Sequence, residues 1–189
     1  MIRLSSIHIY PCKGLAGISV PQVEIDDFGP KHDRRWMLVD ENNDFLTQRQ
    51  QPQMVLIRPE IRGNTLVLEA PGQPPLEMPL IPESGTEVDV CIFGKKCSAW
   101  ETSEAAGKWF SNFLERPSRP VFMPDSIRRE VDPDYAAFPS RTSFTDGFPF
   151  LLIGEASLDD LNGRLEQPVQ MRRFRPNLVI NGSEAFVED

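Results

Sequence analysis

Four short segments of this 189-residue chain carry side chains able to bind or transform a ligand. Tyr10-Pro11-Cys12-Lys13-Gly14 ends an alternating apolar stretch in a Pro–Gly turn with a lone lysine. Asp33-Arg34-Arg35-Trp36 sets two arginines at the start of an apolar run. Ser143-Phe144-Thr145-Asp146-Gly147 groups small hydroxyls beside a glycine, and Arg173-Phe174-Arg175-Pro176-Asn177 precedes another apolar run. Together they offer ammonium, guanidinium, hydroxyl, amide and backbone N–H donors. Such a set suits an anionic, hydrogen-bond-rich ligand such as a phosphorylated cofactor. The competing reading of Lys13 and Arg34 is surface ion pairing with Asp33 or Asp146, which contributes little.

Other chemistries fit less well. His8 and His32 lie far apart in sequence, and Cys12, Cys91 and Cys97 lack the short ligand spacing of a zinc site. The glycine patterns of the common nucleotide loops are absent. Gly182-Ser183 lacks the second glycine of a nucleophile elbow.

Composition narrows the choice further. With 40% hydrophobic and 25% charged residues the chain reads as an ordinary folded protein with a real core. Its net charge of −8 argues against general nucleic-acid binding, which needs a surplus of Lys and Arg. Residues 116–175 are nevertheless charge-balanced, and arginine, with its planar fork of donors, dominates the basic residues. No stretch of about 18 apolar residues is present, so no membrane helix is expected. The N-terminus lacks a signal-peptide pattern. Three cysteines in a chain of this length suggest free thiols, a reducing compartment and a cytoplasmic location, although Cys91 and Cys97 could face each other across a hairpin at Gly94.

The positioning elements are expected to be short strands, because the 18 prolines block long helices and central strands. Period-two alternation predicts strands over 2–10, near Val20–Ile25, over 36–40 and at 45–47. Hairpins are predicted for 54–61 with 65–69 and for 88–93 with 97–100. The result is a mainly β, α+β chain with a barrel or sandwich in its first half. Ala106, Trp109, Phe110, Phe113 and Leu114 predict a helix capped by Thr102 or Ser103. Residues 124–149 read as a long proline-punctuated loop, and loops of that length are usually functional. Phe150–Ile153 reads as a buried strand, 158–165 as a short helix capped by Ser157, and Leu178–Ile180 as a last strand.

These segments, in this order, resemble the MOSC family, in the branch with an N-terminal β-barrel domain that includes the mitochondrial amidoxime-reducing components. The resemblance is carried by Ile9-Tyr10-Pro11-Cys12-Lys13-Gly14, Asp33-Arg34-Arg35-Trp36-Met37-Leu38-Val39, Leu46-Thr47-Gln48-Arg49-Gln50, Pro149-Phe150-Leu151-Leu152-Ile153, Glu155–Asn162 and Phe174-Arg175-Pro176-Asn177-Leu178-Val179-Ile180. It implies a MOSC N-terminal β-barrel domain over 1–100, a connecting helix and strand over 101–123, and a partial MOSC domain over 124–189. It implies the molybdenum cofactor (molybdopterin), with Lys13, Gly14, Arg34, Ser143, Thr145, Asp146, Arg175 and Asn177 as cofactor-binding positions. By resemblance the reaction is reduction of small N-hydroxylated compounds, with electrons from an iron–sulfur or flavin protein.

The sequence departs from the family where a metal-binding cysteine is expected beyond the Phe-Arg-Pro-Asn segment, because no cysteine follows Cys97. The resemblance therefore implies a chain truncated at its C-terminal side, without a catalytic or metal-ligating residue of its own, and weak or inactive as a reductase. The alternatives are a molybdenum-cofactor carrier or sulfur-transfer module, and a binding module that contacts a redox partner. Pyridoxal phosphate accompanies the family through a fused domain. None of Lys13, Lys31, Lys95, Lys96 and Lys108 has the sequence setting of its Schiff-base lysine.

Overall fold

The computed structural model describes residues 1–136 and 138–189. In chain order the strands are β1 (Arg3–Ile9), β2 (Ile18–Val20), β3 (Ile25–Asp26), β4 (Gly29–Pro30), β5 (Trp36–Val39), β6 (Arg58–Arg62), β7 (Thr65–Glu69), β8 (Leu76–Pro79), β9 (Thr86–Ile92) and β10 (Lys95–Glu101). Helix α1 (Glu104–Leu114), β11 (Arg119–Phe122), β12 (Leu152–Gly154), helix α2 (Glu155–Asn162) and β13 (Leu178–Asn181) follow. Mainly β structure with two α-helices is as expected from the sequence.

The strand β5 organises the interior. All four of its residues are buried, and they alternate between two apolar clusters. Trp36 and Leu38 face a cluster with Met54, Leu66, Leu68, Phe110 and Phe122, while Met37 and Val39 face one with Val90, Ile92, Ala99, Val121 and Phe144. A strand buried on both faces reads as a continuous apolar run, as Trp36-Met37-Leu38-Val39 does. Its sheet runs β5-β11-β10-β9, and β6-β7-β8 form a separate three-stranded sheet.

Helix α1 closes the first cluster. Ser103 Oγ accepts the Ala106 N–H at 3.1 Å, the expected N-cap, and Ala106, Trp109, Phe110 and Leu114 are buried. Such a cap contributes about 1 kcal/mol, and burial of each large apolar side chain contributes about 1.5–3 kcal/mol. Trp109 and Trp36 donate their indole N–H groups to the carbonyls of Pro74 and Leu80.

The remaining sheet joins the two ends of the chain in the order β12-β13-β1-β2. The strand β1 pairs antiparallel with β13, and β11 pairs with β5. The sheets therefore run across the expected boundaries at 100 and 124.

Several local expectations are corrected. Residues 52–56 form a 3-10 helix opened by Pro52, so the predicted hairpin begins at Arg58. Residues 45–47 contribute only an isolated bridge, Val39 with Phe45. Phe150, Leu151 and Leu152 are 37–41% exposed, so that run is not the buried strand its composition suggested. Ser157 lies within α2, whose N-cap is Gly154, and its Oγ accepts the Phe186 N–H at 2.8 Å.

In the β9–β10 hairpin Cys91 pairs with Lys96 and Cys97 with Val90. Successive strand residues face opposite sides of a sheet, so Cys91 and Cys97 do not face each other. All three cysteines are free. Cys12 is 2% exposed, and burial pushes its thiol far above the usual range. The thiolate is the reactive form, so Cys12 is expected to resist iodoacetamide in the native protein. Mass spectrometry should find it alkylated only after denaturation.

Candidate functional site

The four segments singled out from the sequence meet beside the start of β5. Residues 10–13 run alongside 33–36. Arg34 N–H donates to the Tyr10 carbonyl at 2.7 Å, Trp36 N–H to Pro11 at 3.0 Å and Lys13 N–H to Trp36 at 2.8 Å. The 143–147 loop joins through Phe144 N–H, which donates to the Arg34 carbonyl at 3.0 Å. The approach to β13 joins β1 through His8 N–H, which donates to the Asn177 carbonyl at 2.8 Å. Residues far apart in sequence are thus gathered by backbone hydrogen bonds.

Lys13 is 8% exposed. Its Nζ donates to the Phe144 carbonyl at 2.8 Å and pairs with the Asp146 carboxylate. The rings of Phe45 and Phe93 lie 5.4 and 5.6 Å from it. Burial lowers the Lys13 pKa below the ordinary lysine value, with Asp146 opposing and Arg34 and Arg129 reinforcing. Asp146 is exposed, and the partial desolvation that would raise its carboxyl is outweighed by Lys13, Arg34 and Arg129, which hold the pKa below the usual carboxylate range.

Arg34 is the central cation. It pairs with buried Asp33 and donates to Asn177 Oδ1 and to the Arg175 carbonyl, each at 3.1 Å. Asp33 also accepts the Tyr10 N–H at 2.7 Å. Burial pushes the Asp33 carboxyl upward against the pull of Arg34. The ring of Tyr10 contacts both arginines, with the Arg34 and Arg175 guanidinium carbons 4.7 and 4.2 Å from its centroid. Arg175 Nη1 donates to the Leu15 carbonyl at 2.5 Å. Burial, reinforced by Arg34, lowers the Arg175 pKa to about 10.

The backbone at these cations is strained. Arg34 has φ 50° and Arg175 φ 59°, left-handed values uncommon for a non-glycine residue. Such conformations persist only where the surroundings over-determine them, and they concentrate at functional sites. Phe93, at the β9–β10 turn beside Lys13, also has φ 50° with its ring exposed.

The other predicted positions are placed differently. Gly14 (φ 84°) faces the core: a Cβ there would stand 2.5 Å from Met54 Cε, and its carbonyl accepts from Gln48. Asn177 is 1% exposed, and its side chain bridges Arg34, the Leu151 N–H and the His8 carbonyl. Thr145 Oγ1 shares a 2.6 Å hydrogen bond with Thr142 Oγ1. Ser143 Oγ and Arg175 Nη2 are buried without a hydrogen-bond partner.

Sequence reasoning missed Arg129 and the clamping role of Tyr10. Arg129 donates to the carbonyls of Ser143 (2.7 Å), Thr145 (2.9 Å) and Asp146 (3.3 Å). The Arg128-Arg129 pair inside a long loop was the available signal, but nothing in it foretells three carbonyls 14–17 residues away. Among the described residues no group of three His, Cys, Asp or Glu side chains is arranged to hold a metal ion.

The gathered motifs agree with what known proteins show. Residues 1–117 match the family described as MOSC N-terminal beta barrel domain, and residues 139–189 match the MOSC domain. The chain belongs to the MOSC family. Relatives include mitochondrial amidoxime reducing component 2 of Rattus norvegicus, 35% identical over 98% of this chain and 58% of that protein. Mitochondrial amidoxime-reducing component 1 of Xenopus laevis is 34% identical over 98% of this chain and 57% of its own length. The human component 1 is 31% identical, with 98% and 58% covered. This MOSC chain thus spans less than three fifths of the length of these relatives. Their names are mitochondrial, which does not match a plain cytoplasmic expectation. Among the described residues no helix is long and apolar enough to cross a membrane.

Proposed function

We propose that this MOSC chain holds the molybdenum cofactor, as the cofactor-binding part of an enzyme that reduces small N-hydroxylated compounds. The observation that carries the reading is a surplus of donors, one buried and three half-buried. Lys13, Arg34, Arg129 and Arg175 gather around only two carboxylates, Asp33 and Asp146. Within that group Arg175 Nη2 and Ser143 Oγ lack partners. Orphaned buried donors are costly unless a ligand satisfies them. An anionic phosphate and a polar heterocycle supply the acceptors that are missing, so the donor set fits the cofactor.

Each residue has a role in this reading. Lys13 and Arg175 would neutralise the phosphate, and Ser143 Oγ would donate to a ring or phosphate oxygen. Arg34, fixed by Asp33, Asn177 and Tyr10, keeps the cationic centre in place. Gly14, Thr145, Asp146 and Asn177 shape and hold the surrounding backbone. When bound, the cofactor would supply the two-electron reduction that converts an N-hydroxyl group to N–H and water, with electrons from an iron–sulfur or flavin protein.

A carrier or sulfur-transfer role is the second reading. It is favoured by the buried, protonated state of Cys12, which leaves no thiolate from that residue for a metal. Both readings require the cofactor to be held. The chain, expressed in a host that makes the cofactor, should therefore co-purify with about one pterin per protein. Oxidation to the fluorescent pterin derivative measures this directly. Pterin content no higher than in an unrelated protein purified in parallel would contradict the reading.

A pH dependence follows from Lys13 and Arg175. Both titrate below their ordinary values, and a bound anion favours their charged forms. Binding should therefore take up protons at alkaline pH, and affinity should decline as pH rises through the lowered values toward 10 and beyond. Sulfate is a suitable probe because its charge is fixed over this range. Calorimetry in buffers of different ionisation enthalpy reads the proton uptake. Affinity independent of pH from 8 to 10.5, the ordinary lysine value, would count against the assignment.

A further inference from the structure

The carbonyls of four successive residues, 143–146, all meet cations. Lys13 Nζ takes that of Phe144 at 2.8 Å and also the Asp146 carboxylate. The Arg129 guanidinium takes those of Ser143, Thr145 and Asp146. The two cations differ in what they hold. Lys13 has one charged partner, and that partner is a solvent-exposed carboxylate, 76% accessible in its side chain. An exposed carboxylate can return to water at little cost. Arg129 holds only neutral carbonyls, through a rigid fork of donors that does not titrate at ordinary pH. Its own backbone is fixed, because the Arg129 carbonyl accepts the Thr142 N–H at 2.9 Å and Glu130 bridges to Arg141.

We propose that Arg129 is the positioning residue of the ligand loop: it holds residues 143–146 in place while Lys13 exchanges Asp146 for the anion of the ligand. The proposal rests on the reading of this cationic cluster as an anion site. It divides the labour between two cations that look alike in sequence. Arg129 does not touch the ligand. It fixes the backbone that carries Ser143 Oγ, and it keeps the Phe144 carbonyl within reach of Lys13 after Asp146 has swung away.

The test compares the whole chain with R129Q, R129K and K13A. Amide hydrogen exchange is followed over residues 142–147, and inorganic phosphate is titrated by calorimetry. In R129Q the loop amides should exchange at least about tenfold faster without ligand, and phosphate affinity should fall at least about tenfold. Exchange in β11 should be unchanged. R129K, with a single ammonium, should recover part of both effects and provides the comparison should R129Q fold poorly. K13A should lose phosphate affinity while loosening the loop less than R129Q does. Unchanged loop exchange in R129Q would overturn the proposal. So would a loosened loop with undiminished phosphate affinity, since Arg129 would then be merely structural. If the wild-type chain bound no phosphate while R129Q still loosened the loop, the anion-site reading would fail and the clamp itself would stand.

Discussion

Alanine at both Lys13 and Arg175 is expected to weaken phosphate binding by two orders of magnitude or more. A hydrogen bond to a charged group contributes about 1.5–3 kcal/mol. Loss of two such partners removes roughly 3–6 kcal/mol, or about 10²–10⁴ in affinity. The two sites are not independent, because Arg34 acts on both, lowering the pKa of each. The double variant is therefore expected to differ from the sum of the single ones, and all three should be measured. Arg164→Ala is the control. That arginine is exposed and pairs with Asp160 one helical turn away. Calorimetric titration with inorganic phosphate decides the matter. A loss of less than tenfold in the double variant would mean that these cations do not form the anion site.

Replacing Asp33 by alanine should be the most destabilising polar change near the site. Asp33 is 1% exposed, pairs with Arg34 and accepts the Tyr10 N–H. Removal of one partner of a buried ion pair leaves the other charge uncompensated, at a cost of about 3–5 kcal/mol. The Tyr10 N–H would be orphaned as well. Asp33→Asn keeps an acceptor for that N–H and should cost less. Urea unfolding should show the midpoint falling with an unchanged slope. A shift in Asp33→Ala worth less than about 1 kcal/mol would show that the Asp33–Arg34 pair does not hold this corner of the fold.

Much of this architecture is legible in the residues themselves. The alternation in 2–10, the apolar run 36–39 and the helical spacing of Ala106, Trp109, Phe110 and Leu114 are local signals, and a strand at 3–9, a strand at 36–39 and a helix at 104–114 stand there, although burial along the first strand does not alternate. The candidate segments were visible because lysine, arginine and hydroxyl groups sit beside glycine and proline turns. Lys13 pairs with Asp146 and Arg34 with Asp33, the two carboxylates considered, but both cations lie largely buried and not on the surface. These pairs coexist with unpartnered donors, so pairing and ligand binding are not exclusive readings.

What was not legible has a common cause: it depends on contacts between distant residues. Arginine has no local preference for the left-handed region, so φ 50° at Arg34 and 59° at Arg175 could not be read from residue type. Gly14 looked like part of a ligand turn, yet the absent Cβ makes room for Met54. Asn177 looked like a ligand contact, yet its amide joins Arg34 to β1 and to Leu151. The exposure of Phe150–Leu152 followed neither from hydropathy nor from spacing.

The account stands on an anion binding at the cluster of Lys13, Arg34, Arg129 and Arg175. It is tested most directly by an NMR titration of the isotope-labelled protein with inorganic phosphate, following the arginine side-chain and loop amide signals. The signals of Arg34, Arg129 and Arg175 and the amides of 143–147 should move together and saturate along one binding curve, while exposed Arg164 and Arg172 stay in place. Shifts confined to exposed arginines, or scattered without saturation, would contradict it.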